Sequence, residues 1–226
     1  MINRRSAYIM MSIVIFSVFV NLVDAVVHPD YFLKIPIKIL FFLGLPMVFF
    51  LANKAEFREF RRLFAFKKGG ILKPLLLGAA IYAVIVLGYF LTRDLIDFSN
   101  VTSNLTKSMG ITANNFIYVS LYISLMNSFL EEFFFRGYGF ITLKNYTSRK
   151  FAYGFSALIF AFYHVGMLAG MVRAGALCLL LLGLMAGGCI FNYLNELTGT
   201  IYPSWFVHMF ANFAINTVGF ILFGIL

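Results

Sequence analysis

The chain has 226 residues, 62% of them apolar and only 12% charged, with a mean hydropathy of +0.90. Soluble domains are roughly 45–50% apolar and about 25% charged, so this composition excludes an ordinary soluble domain and fits a polytopic membrane protein. The net charge of +9 does not indicate a nucleic-acid binder, because the basic residues sit in loops beside apolar spans, where they set orientation.

The expected fold is all-α: a transmembrane helical bundle of about seven spans, six to eight in range, at ~20 residues each. It is taken as one membrane domain over 1–226. The spans are expected at 7–27, 35–52, 74–91, 113–135, 151–171, 174–193 and 201–226. His28-Pro29-Asp30 is a turn signal after the first, and Pro36 and Pro46 mark the second. Residues 53–73 are basic, with Phe57, Phe60, Leu63 and Phe64 at helical spacing. That pattern predicts an amphipathic helix lying on an anionic leaflet of the lipid bilayer. Residues 92–112 and 137–150 read as polar links, and Asn195-Glu196 with Gly199 as a turn. Gly183, Gly187 and Gly188 read as close helix contacts. Cys178 and Cys189 are eleven positions apart on one helix, about 16 Å, so they do not bridge each other within that helix.

Most of the eighteen Lys and Arg residues fall at the N-terminus, in 53–73, at Arg136 and in 137–150. Lys34, Lys38, Arg93, Lys107 and Arg173 fall on the other side. This bias predicts a cytoplasmic N-terminus and puts Glu131 toward the cytoplasmic end of its span. The Phe, Ile, Lys and Asn usage suggests a bacterial cell membrane.

Ionisable residues inside apolar runs are costly and default to function. Here they are Glu131, Glu132, Arg136, His164 and His208, joined by Asn212. Glu132 and Arg136 are i and i+4 and can pair, whereas Glu131 has Phe135 in the equivalent place. A carboxylate and a histidine around one water form a general base, and His or Asn can donate to an oxyanion. Those groups suit hydrolysis of a peptide bond by water, with no cofactor. A zinc site of Glu131, His164 and His208 is the minor alternative, though no His-Glu-x-x-His helix is present. A Gly-x-Ser-x-Gly element is also absent, and the cysteines have no His one turn away, which argues against a serine or cysteine protease.

Three motifs occur in order: EEFFFR at 131–136, FAFYH at 160–164 and HMFAN at 208–212. The stretch 113–216 that carries them resembles the CAAX protease and bacteriocin-processing (Abi) family, whose members resemble the Ras-converting CAAX endopeptidase. The resemblance implies a glutamate-type intramembrane endopeptidase acting on a peptide or membrane-tethered protein. It implies that Glu131 activates water with His164, that His208 and Asn212 stabilise the oxyanion, and that Glu132 and Arg136 support the site. Two other readings stand beside it: a non-catalytic regulator, scaffold or bacteriocin immunity protein of the same fold, and a proton-coupled transporter. The transporter reading lacks the inverted repeats expected of such folds.

Overall fold

The computed structural model describes residues 3–27, 31–52, 54–66, 71–94, 98–169 and 172–226, and these are helical with short connections. His28, read as a residue of a polar turn, lies outside the described residues, as do Lys67 and Lys68 of the basic stretch. Nine helices follow in order among the described residues: α1 Arg4–Leu22, α2 Tyr31–Leu51, α3 Lys54–Leu63, α4 Leu72–Thr92, α5 Ser99–Met109, α6 over 116–142, α7 Arg149–Leu168, α8 Ala174–Thr198 and α9 Tyr202–Leu222. Six of them, α1, α2, α4, α7, α8 and α9, are long and apolar enough to cross a membrane. The motif-bearing α6 is also long enough to cross, and its two acids and arginine make it less apolar. The protein is an integral membrane bundle, with large apolar side chains such as Leu76, Val84 and Leu179 exposed on its outside.

Several boundaries differ from the expectation, each for a local reason. Residues 99–109 form a helix although Asn, Ser and Thr dominate them; Gly110 ends it at φ 66, a conformation glycine adopts without strain. The fourth span does not stop at Gly137. It is wound as a π-helix over Tyr122–Asn127 and again over Glu132–Thr142, and the second stretch carries the chain through both glycines. A Cβ at Gly139 would stand 2.9 Å from the Ile13 side chain, so the glycine lets α1 lie against α6. Asn195 and Glu196 belong to α8 rather than to a turn. Asn195 donates to Ser204 Oγ at 2.6 Å, and Glu196 pairs with Lys144 and Arg149 at 2.9 and 2.6 Å. With their polar groups satisfied, the helix runs on to Gly199 (φ 73).

α6 is the axis of the fold. Phe133, Phe134, Phe135, Tyr138 and Phe140 are fully buried. They meet Ile9, Ile13 and Phe16 of α1, Phe42, Phe49 and Phe50 of α2, and Phe160 and Tyr163 of α7 in one cluster. Phe134 packs on Phe42 and Phe16 at ring-centroid distances of 4.7 and 5.5 Å. Lipid is as apolar as these rings, so burial alone gives no driving force and close packing must supply it. Aromatic pairs of this geometry contribute about 0.5–1.5 kcal/mol each beyond area. The short helix α3 closes one end. Its Glu56 is buried, accepting from Tyr146 Oη at 2.5 Å and pairing with Arg5 at 3.2 Å, while Phe60 and Phe64 pack on Phe133.

Of the three small residues read as α8 contacts, Gly188 serves that purpose. A Cβ there would lie 3.1 Å from the Ala157 Cα and 3.4 Å from Arg136 Nη2, whereas Gly183 and Gly187 face open space. Gly188→Leu therefore wedges α8 from α7 and is expected to lower stability by about 1–3 kcal/mol. Gly187→Leu is expected to be near neutral. Denaturation midpoints in detergent check the pair.

Candidate active site

The π winding that begins at Glu132 sets the site. Glu131 ends a short α-helical piece, Ser128–Glu131, between the two wider stretches. Mid-helix π segments recur at functional positions, where they re-aim side chains. Here they turn both carboxylates toward α7 and α9.

His164 sits at a break. α7 is helical over Arg149–Tyr163 and again over Val165–Leu168, with His164 between at φ −87, ψ −6. A break inside a membrane leaves backbone groups that must find partners. Asn21 of α1 supplies them: its Nδ2 donates to the Phe162 carbonyl at 3.2 Å and its Oδ1 accepts from the Gly166 N–H at 2.5 Å. A Cβ at Gly166 would stand 3.0 Å from the Asn21 backbone, so a side chain there would push α1 away by a few tenths of an ångström. Asn21→Leu removes the side-chain partner of both backbone groups. It is expected to destabilise the bundle by about 1–3 kcal/mol and to lower activity through His164, which denaturation and turnover measured on one preparation will check.

The ring nitrogens of the two histidines have defined jobs. His164 Nδ1 is 2.8 Å from the Phe160 carbonyl, and His208 Nδ1 is 2.8 Å from Glu132 Oε1. Both partners only accept, so each Nδ1 carries the proton and donates. In the neutral rings each Nε2 is therefore an acceptor. Both Nε2 atoms point at the same oxygen: Glu131 Oε2 lies 4.0 Å from that of His164 and 3.7 Å from that of His208. A water about 2.8 Å from each partner spans gaps of this order. Glu131 is 3% exposed and His208 6%, so such a water would be screened from bulk.

Glu132 does more than pair with Arg136. The pair is present, at 3.3 Å and fully buried, but the same Oε1 holds His208. A carboxylate on Nδ1 fixes the tautomer and stabilises an imidazolium if one forms. Arg136 is enclosed by aromatic faces, 3.7 Å above the Phe160 ring and 5.0 Å from Phe191. Phe191 in turn stacks on the His208 ring at 5.3 Å. Asn212 lies one turn beyond His208, and its Nδ2 donates to the Ile123 carbonyl at 3.2 Å. That bond ties α9 to the first π stretch and uses one of the two amide N–H groups.

Two neighbours of Glu131 carried no weight in the sequence reading. Asn127 Nδ2 donates to Glu131 Oε1 at 2.7 Å, and Lys38 Nζ of α2 donates to Asn127 Oδ1 at 3.1 Å. In the sequence Lys38 counts only toward the charge on the far side of the membrane, and Asn127 is a polar residue one turn before Glu131.

A tetrahedral zinc with bonds of about 2.0–2.1 Å holds its ligands roughly 3.3 Å apart. The separations of 3.7 and 4.0 Å around Glu131 are wider. Among the described residues no group of three His, Cys, Asp or Glu has metal-holding geometry.

Residues 113–214 match the model of the family described as Type II CAAX prenyl endopeptidase Rce1-like. The matched segment is a little under half of the chain. It runs from just before α6 into α9 and contains all three motifs. α1 to α5, with Asn21 and Lys38, lie outside it. Comparison with curated proteins and with solved structures gave no significant match.

Proposed function

We propose that this chain is a glutamate-type intramembrane endopeptidase. The observation that carries the reading is the convergence of Glu131 Oε2 with the Nε2 atoms of His164 and His208, each ring fixed from behind through Nδ1. Glu131, assisted by His164, takes a proton from the water as its oxygen attacks the scissile carbonyl. His208, protonated on both nitrogens in the reacting form and held by Glu132, hydrogen-bonds through Nε2–H to the oxyanion and keeps that proton throughout. The second N–H of Asn212 is the further donor. The proton held by the acid then passes to the leaving amine, so that water is split between the two products.

The substrate is a peptide or a membrane-tethered protein. In support, an apolar groove of about 430 Å³ lies between α4, α6 and α9, walled by Tyr82, Ile117, Phe210 and Phe213 and lined also by Asn216. It begins within one turn of His208, at Phe210, runs along α9 to Phe220, and suits an acyl or isoprenoid chain, or large apolar side chains. The excess of basic residues beside Arg136 and in α3 supports a site opening toward the cytoplasm.

The test is a library of fluorogenic membrane peptides presented to the purified protein in nanodiscs, with products read by mass spectrometry. The wild type is expected to cut, to keep cutting after exhaustive chelation, and to lose the activity in His164→Ala and in His208→Ala. Loss on chelation with recovery on added zinc would establish the metal alternative. Equal cleavage by wild type and both variants would overturn the assignment of the site.

A further inference from the structure

We propose that Lys38 and Asn127 form a positioning relay that aims Glu131, so that α2, outside the Rce1-like segment, completes the site. This rests on the protease reading for its consequence but not for its geometry. An ammonium has three donors and no acceptor. Lys38 Nζ, 3.1 Å from Asn127 Oδ1, therefore decides which end of that amide faces α2. The nitrogen is then left to face Glu131 Oε1, 2.7 Å away. Without the lysine only the carboxylate itself holds the amide in this orientation. With it, one oxygen of Glu131 is anchored and the other stays between the two histidines.

The parts are buried where such an arrangement matters. Asn127 is 6% exposed and sits in the π stretch Tyr122–Asn127. Lys38 also lies 5.5 Å over the Tyr163 ring, one residue before His164. A cation in an apolar span is costly unless it is held by partners, and here it is held against the site. Other groups facing Glu131 are His164 from α7, His208 from α9, Arg136 and Tyr122 from α6, and Tyr31 from α2. None of these makes a hydrogen bond to Oε1 among the described residues.

Two readouts test the relay, in nanodiscs, on Lys38→Met, Lys38→Arg, Asn127→Leu and the Lys38→Met/Asn127→Leu double variant, with Glu131→Gln as control. The first is kinetic, on a fluorogenic peptide that the wild type cuts. Lys38→Met and Asn127→Leu are each expected to lower kcat at least tenfold with KM within twofold. The double variant is expected to be no worse than the poorer single, because both act through one chain of contacts. Lys38→Arg is expected to restore most of the rate. Unchanged kcat, or losses that multiply, would overturn the relay. The second readout needs no proteolysis: labelling of Glu131 by dicyclohexylcarbodiimide, which attacks protonated carboxyl groups, quantified by mass spectrometry. Removing the ammonium or the amide donor is expected to raise labelling at Glu131 at least fivefold, with Lys38→Arg near wild type. Equal labelling in wild type and Lys38→Met would overturn the proposal even if no peptide is cut. Equal cleavage by wild type and Glu131→Gln would instead sink the assignment of Glu131 as the base and leave the labelling to decide the relay.

Discussion

Glu131→Gln is expected to lower turnover by about 10²–10⁴, the range that a positioned acid or base contributes. The substitution keeps the shape and the oxygen that accepts from Asn127 at 2.7 Å. It removes the carboxylate that takes the proton between the two Nε2 atoms. KM is expected to stay within a few-fold, because the loss falls on the transition state. Unfolding in detergent is expected to change little, which separates a chemical effect from a structural one. A variant that cuts at the wild-type rate would show that Glu131 is not the acting base.

Arg136→Met is expected to be the most damaging substitution for stability. Arg136 and Glu132 are both fully buried, 3.3 Å apart, and removing one partner leaves an uncompensated charge. Breaking such a pair costs about 3–5 kcal/mol. The variant also loses the cation over the Phe160 ring. Glu132→Gln combined with Arg136→Met removes both charges, and replacing a buried pair by neutral groups is often close to neutral in stability. The double variant is therefore expected to recover most of the denaturation midpoint. Its activity is expected to stay low, because His208 Nδ1 then faces an uncharged amide in place of the carboxylate at 2.8 Å. Recovery of both stability and activity would show that Glu132 serves only to neutralise Arg136.

The spans were legible because lipid demands long apolar helices, and that signal survives boundary errors. Gly137 misled because glycine beside polar residues usually ends a helix. Here it sits in a π-wound stretch where α3 and α9 approach closely, with Leu63 and Ile201 side chains 3.1 and 3.2 Å from where its Cβ would be. α5 was missed because its Ser, Asn and Thr carry no apolar period. In the site, Glu131, His164 and His208 stood out by their cost in a membrane. The link from Glu132 to His208 spans 76 residues of chain, and no local spacing reveals it. Asn21 and Lys38 were hidden for a similar reason. Each is a single polar residue in an apolar run, and its meaning comes from a backbone break or an amide on another helix.

The most direct test of Glu131 as the base that delivers water is one turnover in H₂¹⁸O, with enzyme in excess over a cleavable peptide. Direct attack by water places one ¹⁸O in the new carboxyl terminus and none in the enzyme. Recovery of the label in the Glu131 side chain, with an unlabelled product, would mean that the carboxylate itself attacks and forms an acyl-enzyme, and would contradict the mechanism.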